Sequence, residues 1–177
     1  MKPVTHILFS EAFCMIFATF ANIVLKPIDI VIIAISSMLP DIDDTKSFIG
    51  RAFHPVSNYL ERNVGRRTIT HSLAGIGVVA VVLSPLLFLK AGVAYSMILL
   101  SILGHIIIDC VNKEGVNMFY PNLARVVIPK DEKIRLEENS KAENVLLYVF
   151  IGLLLILFPL NQTGIRPALH YLIRTPD

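Results

Sequence analysis

The chain has 177 residues, of which 54% are hydrophobic and only 17% are charged, whereas roughly a quarter of the residues of a typical soluble domain are charged. A net charge of +2 is too small to favour nucleic acid as a partner, so the composition indicates a protein that contacts membrane lipids. The length suits one domain, and we expect a single unit over residues 1–177.

Five apolar stretches follow one another along the chain, and none shows the alternation that is typical of strands. They cover residues 5–25, 28–39, 72–89, 93–110 and 144–160. A membrane-spanning helix needs about 20 residues, with roughly 17 as a minimum. The first, third, fourth and fifth stretches are therefore long enough, and the second crosses only with the help of tilt or of its neighbours. We predict an all-α integral membrane protein, a helical bundle of about five helices.

Two long polar loops, residues 40–71 and 111–143, join these stretches. We predict a short amphipathic helix in each loop, near Asn58–Arg62 and Asp131–Lys141. Glu11 interrupts the apolar core of the first stretch, which favours a retained helix over a cleaved signal peptide.

The basic residues are distributed unevenly between the two ends of the predicted helices. If all five stretches cross the bilayer, twelve of the sixteen Lys and Arg residues lie on the side of the N-terminus and the two long loops. The other four are Lys26, Lys90, Arg166 and Arg174. Because basic residues accumulate on the cytoplasmic side, we predict an inner-membrane protein whose long loops face the cytoplasm.

Histidine and carboxylate side chains mark the same end of every predicted helix. These residues are His6, Asp41, Asp43, His71, His105, Asp109 and Glu143. Scattered polar residues would fall on both sides of the membrane, whereas all of these fall at the cytoplasmic face. Ionisable groups at membrane depth are commonly functional. The convergence therefore predicts a metal site at one membrane face.

The residue types indicate which metal this site would hold. His105 and Asp109 are four residues apart, so they lie on one face of a helix and can hold one ion together. Three histidines with three carboxylates form a donor set that suits Zn²⁺, Mn²⁺ or Fe²⁺. The predicted ligands are His6, Asp41, His71, His105, Asp109 and Glu143. Six ligands exceed the need of one four-coordinate zinc, so we predict two ions, with zinc favoured and Asp109 as a bridge.

The position of the site favours one reaction class. A pair of such ions can activate water and clamp the oxygens of a phosphoester, and the headgroup depth favours a lipid or lipid-linked substrate. Arg66 and Arg67 come shortly before His71 and are predicted to hold the phosphate. Asp43 is predicted to orient the water or a ligand histidine. We thus predict a hydrolase of phospholipase type with Asp43, Arg66 and Arg67 as catalytic residues.

Several segments together resemble one known family. They are THILF, LPDIDDTKSFIGR, GRRTITHSL and GHIIIDCVNKEGVNMFYP. In combination and order they resemble the YdjM/YbcI-type membrane-bound metal-dependent hydrolases, over nearly the whole chain. That family is in turn distantly similar to the zinc-dependent phospholipase C and single-strand nuclease group. The resemblance implies an all-helical enzyme that cleaves phosphoesters with clustered metal ions.

The resemblance also implies particular ligands. It places the metal ligands of that group on His6, Asp41, His71, His105, Asp109 and Glu143. The family commonly has Gly-His-Arg-Gly before its Thr-His-Ser, whereas this chain has Arg66 in place of that histidine. The soluble relatives have a histidine four residues before the late glutamate, and Asn139 stands there in this chain. Both differences argue against a third ion.

Two other classes of protein fit the same residues. In a non-catalytic membrane protein the metal would staple helix ends together, which predicts a closed ligand shell without a cleft. A divalent-cation carrier would need polar residues near the middle of the membrane, where Glu11 is the main candidate. The carrier is therefore the third interpretation.

Overall fold

The computed structural model of the chain describes residues 1–132 and 135–163, and in that part of the chain the regular elements are all helical. The helices are α1 (Pro3–Phe20), α2 (Pro27–Ser36), α3 (Phe48–Ala52), α4 (His54–Asn63), α5 (Leu73–Leu83), α6 (Pro85–Phe88), α7 (Gly92–Asp109) and α8 (Lys141–Thr163), with a 3-10 helix (Leu39–Asp43) after α2. The all-α prediction is thus confirmed. The predicted tail residues Arg166 and Arg174 lie outside the described residues.

Three of the described helices, α1, α7 and α8, are long and apolar enough to cross a membrane. Helix α1 packs against both of the others. Its contact with α7 is close, because a Cβ at Gly104 would lie only 3.3 Å from Ser10 Cα, and Ser10 Oγ donates to the Ser101 carbonyl at 3.1 Å. This close approach of α1 and α7 brings His6, one turn before Ser10, to the level of His105.

Helix α2 is short, as the sequence predicts. It begins at Pro27, a residue that suits the first helical turn, and the Asp29 carboxylate accepts the Lys26 N–H at 2.8 Å. It packs on α7, where Ser101 Oγ donates to the Ile33 carbonyl at 2.8 Å. The 3-10 helix continues the chain towards the end of α7 and carries Asp41 and Asp43.

The third apolar stretch does not form one continuous helix, because it is divided at Ser84 into α5 and α6, which both pack on α7. Helix α5 ends at Leu83, and the four-residue helix α6 starts at Pro85. Proline has no N–H to continue the helical hydrogen-bond series, and its ring clashes with the preceding turn. Helix α5 begins directly after His71, where Ser72 Oγ accepts the Gly75 N–H at 3.1 Å.

The two long loops differ in their helix content. In the first loop, α4 contains the amphipathic helix predicted near Asn58–Arg62. In the second loop, the described residues 135–140 are not helical, so the prediction near Asp131–Lys141 is wrong there. Asn139 has a left-handed backbone with φ +61°, and Ser140 Oγ accepts the Glu143 N–H at 3.1 Å. A helix N-terminus is therefore fixed at this point.

Candidate metal centre

Five of the six predicted metal ligands meet at one end of the bundle. They are His6 from α1, Asp41 from the 3-10 helix, His71 from the turn before α5, and His105 and Asp109 from the last turn of α7. Their donor atoms form two overlapping groups, each within 4.8 Å: His6 with His105 and Asp109, and Asp41 with His71 and His105. The membrane-spanning helices and the loop ends thus assemble a cluster from four separate parts of the sequence.

Four donor atoms in this cluster have the spacing of a cation site. Asp109 Oδ2 lies 3.3 Å from His71 Nε2 and 3.7 Å from His105 Nε2. Asp41 Oδ1 lies 3.6 Å from His105 Nε2 and 3.8 Å from His71 Nε2. Ligands held at the usual zinc bond lengths in a tetrahedron are roughly 3.4 Å apart. Asp41, His71 and His105 therefore form a group that could hold one divalent ion, and Asp109 Oδ2 lies within 3.7 Å of both histidines.

Three of the same atoms are buried without a hydrogen-bond partner among the described residues. They are His71 Nε2, His105 Nε2 and Asp109 Oδ2, on side chains that are fully buried. Buried polar atoms are nearly always hydrogen-bonded in native proteins. A cation placed between these three atoms would give each of them a partner.

The two histidines are held with Nε2 available as a donor. His105 Nδ1 lies 2.6 Å from the carbonyl oxygen of Ser37. A carbonyl only accepts, so Nδ1 carries a proton and Nε2 is the nitrogen that could bind a metal ion. His71 Nδ1 lies 3.4 Å from Asp43 Oδ2 and 3.1 Å from Thr70 Oγ1. A carboxylate or carbonyl behind the ring is the usual partner of a metal-binding histidine.

Within the cluster, neighbouring charges and burial shift the pKa values of His71 and Asp41 in opposite directions. Burial lowers the pKa of His71, but the carboxylates of Asp109 and Asp43 outweigh it and raise the pKa of His71 above its ordinary value. Burial raises the pKa of Asp41, yet the neighbouring histidines outweigh it and bring that pKa well below its usual range. Asp41 is therefore a carboxylate that is ready to bind a cation.

His6 lies beside the four-atom group. Its ring stacks on His105, with 4.1 Å between the ring centroids, and its Nε2 lies 3.5 Å from Asp109 Oδ1. Its Nδ1 has no hydrogen-bond partner among the described residues. His6 therefore contacts the cluster through the oxygen of Asp109 that faces away from His71 and His105.

Glu143 is not brought into either group of ligand atoms. Its Oε1 accepts the Lys2 N–H at 2.6 Å and Thr5 Oγ1–H at 3.1 Å, and its Oε2 accepts the Asn139 N–H at 2.7 Å. The side chain is buried and joins the start of α8 to the start of α1. Its assignment as a metal ligand stays a prediction.

The residues predicted to be catalytic occupy different positions. Asp43 is buried behind His71 and accepts the Arg67 N–H at 2.7 Å and the Thr70 hydroxyl. Arg67 turns its side chain to Asp109, and its Nη1 lies 2.9 Å from Glu114 Oε2. Arg66 pairs with Asp44 at the surface. The structure thus brings Asp43 and Arg67 to the cluster and places Arg66 at its rim.

A polar cleft of about 660 Å³ opens beside the cluster. Its walls include His6 and Asp41 and three arginines, Arg51, Arg66 and Arg67. The cleft therefore gives a dissolved or headgroup-sized anion access to two of the candidate ligands. Positive and negative side chains both line that access, since Lys46 and Lys113 and the carboxylates of Asp44, Glu114, Glu137 and Glu138 also belong to its walls.

The sequence did not point to two of the residues that support the cluster. Asn112 Nδ2 donates to Asp109 Oδ1 at 2.8 Å, and the Ser37 carbonyl fixes His105. Asn112 lies three residues after Asp109, just beyond the end of α7, so its closeness in sequence was a usable signal. A backbone carbonyl carries no sequence signal, because every residue has one.

Comparisons with known proteins identify the family. The family model described as YdjM inner membrane protein matches residues 1–168. The inner membrane protein YdjM of Escherichia coli (strain K12) is 36% identical over an alignment of 138 residues. The alignment covers 70% of this chain and 67% of that protein. The inner membrane protein YdjM of Shigella flexneri gives the same values.

Another relative is the Bacillus subtilis (strain 168) protein YvsG, which is 31% identical over 99 residues. The match covers 54% of this chain and 59% of YvsG, so the chain spans less than two thirds of that relative. No solved structure matches the chain. The family match over nearly the whole sequence shows that this chain belongs to the YdjM family of membrane proteins.

Proposed function

We propose that this protein is a membrane-bound, metal-dependent hydrolase that cleaves a phosphoester of a lipid or lipid-linked substrate at the cytoplasmic face. One observation carries the proposal: three buried donor atoms without partners among the described residues, on His71, His105 and Asp109, face one another beside an open polar cleft. The donor set fits zinc best, and manganese or iron next.

The chain's own residues would hold and orient the metal. Asp41, His71, His105 and Asp109 would bind it, and it would supply a Lewis acid that polarises a phosphoryl oxygen and acidifies water. Asp43 acts through His71 and is a positioning residue. The Ser37 carbonyl plays the same part for His105. Fixing the ligands in advance lowers the cost of reorganisation when charge develops on the substrate.

The two arginines would receive the charge of the phosphate. The Arg66 side chain is 45% exposed and pairs with Asp44, an exposed pair of the kind that contributes little in water. A phosphate can therefore replace Asp44 at low cost. Arg67 is mostly buried between Asp109 and Glu114. Guanidinium groups bind phosphate oxygens through paired N–H donors.

The surroundings of the cluster support a lipid substrate. An apolar groove of about 320 Å³ is lined by Leu39, Ile42, Ile69 and Ile102 among others. Thr70 lines the same groove and donates its hydroxyl to Asp43. An acyl chain in this groove would therefore lie beside Thr70, next to the residues that support the cluster.

The polar cleft also favours an enzyme over a structural metal staple. Structural sites are closed by protein ligands, whereas catalytic sites keep a position open to substrate. The cleft reaches His6 and Asp41, so the cluster is open on that side. A metal ion with a purely structural role would not require this opening.

The activity test uses the full chain in mixed micelles with zinc or manganese and a panel of phospholipids and lipid-linked phosphates. We expect release of a phosphate-containing or headgroup product by the wild type. Asp43→Asn and the Arg66→Gln/Arg67→Gln double variant should lower turnover about a hundredfold or more. Absence of cleavage across the panel by metal-loaded wild type would favour the staple.

The orientation test uses single cysteines in a background without Cys14 and Cys110. A cysteine at exposed Asn122 in the second long loop should resist a membrane-impermeant maleimide applied to intact cells. The matched control is a cysteine at exposed Lys90, in the turn before α7, which should be labelled. Ready labelling at position 122 would place the cluster on the outer side.

A further inference from the structure

Arg67 places a positive charge directly on the carboxylate of Asp109. Its Nη2 donates to Asp109 Oδ1 at 3.4 Å, and its Nε lies 3.4 Å from Asp109 Oδ2. The guanidinium therefore faces both oxygens of the carboxylate, with a hydrogen bond to Oδ1 and an ion-pair contact to Oδ2. A carboxylate that bridges two metal ions must instead offer one oxygen to each ion.

The two oxygens of Asp109 are engaged to different extents. Oδ1 accepts hydrogen bonds from Asn112 Nδ2 at 2.8 Å and from Arg67 Nη2 at 3.4 Å. A carboxylate oxygen has two lone pairs, so these donors use its capacity. Oδ2 makes no hydrogen bond among the described residues and faces His71 and His105. Asp109 thus has one oxygen left for a metal ion.

His6, the ligand that a second ion would need, is not prepared for it. The rings of His71 and His105 are each fixed through Nδ1. His6 Nδ1 has no such partner in the described part of the chain. Metal-binding histidines usually donate from the second ring nitrogen, which sets the tautomer and raises the basicity of the ligand.

The backbone at Arg67 is held in a costly conformation that fixes this arrangement. Its φ is +55°, in the left-handed region that residues other than Gly and Asn rarely adopt. The Arg67 N–H donates to Asp43 Oδ2 at 2.7 Å, and the Arg67 carbonyl accepts the Asn117 N–H at 3.3 Å. Such strain persists where the surrounding structure imposes it, and it is concentrated at functional sites.

We infer that Arg67 takes the place of a second cation at Asp109, so that the centre holds one divalent ion bound by Asp41, His71, His105 and Asp109. This inference rests on the proposed metal centre and narrows the expected pair of ions to one ion and one fixed guanidinium. Unlike a bound metal ion, the Arg67 guanidinium cannot dissociate from the protein. The chain would therefore present two cationic groups, the metal ion and the Arg67 guanidinium, to a phosphate while depending on only one metal ion.

The first experiment counts ions on the full chain in detergent micelles. The protein is stripped with a chelator, loaded with excess Zn²⁺, desalted and analysed for zinc and protein. We expect one zinc per chain, and Mn²⁺-loaded protein should give the electron paramagnetic resonance spectrum of an isolated ion. Two zinc ions per chain or a coupled manganese spectrum would overturn the inference and leave the proposed function standing. No bound zinc would overturn both.

The second experiment tests the two side chains. His6→Ala should keep one zinc per chain, whereas a bridged pair would fall from two to one. Arg67→Gln removes a like charge beside the ion and should tighten Mn²⁺ binding about tenfold. The matched control is Arg66→Gln, which removes the same charge from a residue bonded to Asp44 and should leave the affinity unchanged.

Arg67→Lys keeps the charge and should bind Mn²⁺ as the wild type does. Unchanged affinity in Arg67→Gln, or loss of zinc in His6→Ala, would overturn the inference. If Arg67→Gln does not fold, the zinc count of the wild type and of His6→Ala still decides it.

Discussion

Two buried polar clusters lie at opposite ends of α1 and differ in one respect. At the end of α1, Asn161 donates to Thr19 Oγ1 at 3.2 Å and to the Ile23 carbonyl at 2.8 Å, and it accepts the Leu25 N–H at 3.0 Å. At the start of α1, His71, His105 and Asp109 are equally buried, yet each keeps an atom without a partner among the described residues.

The comparison separates a structural cluster from a ligand-binding one. A fully hydrogen-bonded polar group in a low-dielectric interior ties elements together and needs nothing further. An unpaired one is costly, so its persistence calls for a ligand that the protein residues do not supply. Asn161 is therefore a clamp between α8 and the α1–α2 connection. We propose that the histidine–aspartate cluster is a receptor for a cation.

The largest expected effect comes from removing a ligand of the receptor cluster. His105→Ala and Asp109→Ala should each lower zinc affinity by about a hundredfold or more, because even supporting residues contribute tenfold to a hundredfold. Both variants should still insert into the membrane. Metal analysis of detergent-purified protein measures the change. The matched control is His54→Ala, a histidine exposed on α4, which should keep its zinc; full zinc in both ligand variants would remove the metal centre.

Removing the support of one ligand should have the next largest effect. Asp43→Asn leaves the shape unchanged but weakens the hold on His71 Nδ1, so zinc affinity should fall about tenfold to a hundredfold. Competition with a chromophoric chelator measures it. Asp44→Asn changes the neighbouring carboxylate, which pairs with Arg66 at the surface, and should have little effect. Equal affinities in the two variants would mean that Asp43 does not orient His71.

Acidification should weaken the receptor cluster and leave the clamp intact. The carboxylates around His71 raise its pKa, so below that pKa the ring is protonated and cannot bind metal. As the pH rises through it, the proton leaves and the affinity recovers, by about tenfold per pH unit for each proton displaced. Zinc titrations over a pH series test this. An affinity that does not change with pH would exclude His71 as a ligand.

Breaking the clamp should lower stability without a loss of metal. Asn161→Leu leaves the buried Leu25 N–H without its acceptor, which should cost about 1–3 kcal/mol. Thermal unfolding in detergent, with zinc analysis of the same sample, measures both quantities. Gln162→Leu removes one bond to the Leu25 carbonyl from an exposed side chain and should cost less. A loss of zinc in Asn161→Leu would show that the two ends are coupled.

The smallest effect on metal is expected at Glu143. Its two oxygens are engaged by donors at the starts of α1 and α8, so Glu143→Gln should disturb that junction slightly and leave the zinc content unchanged. Metal analysis beside the thermal unfolding curve separates these outcomes. Zinc loss comparable to that of Asp109→Ala would make Glu143 a ligand, as the sequence resemblance implies.

The depth of the polar residues could be predicted from the sequence because membrane-spanning helices have a nearly fixed length. Residues at the ends of apolar stretches, such as His6, His71 and His105, therefore meet at one level. The depth of a side chain in the membrane does not determine which residues it contacts. Glu143 lies near the same level but binds Lys2 and Thr5.

Other features depend on single backbone angles or single residues. The direction of Arg67 follows from its left-handed φ, and nothing in the pattern Gly65-Arg66-Arg67-Thr68 predicts that angle. Asp41 and Asp43 are neighbours in sequence, yet the 3-10 helix places them at opposite ring nitrogens of His71. The apolar composition of residues 72–89 outweighed the break before Pro85 in the sequence interpretation.

The order of the ligands along the chain has a consequence for biogenesis. The four residues of the cation site lie between Asp41 and Asp109, and α8 begins only at Lys141. At synthesis rates of roughly 5–20 residues per second, the loop between Asp109 and Lys141 takes roughly 2–6 s to be synthesised. During that interval the 3-10 helix, the turn before α5 and α7 already supply all four donor residues. The nascent chain could thus bind the proposed cation before α8 docks.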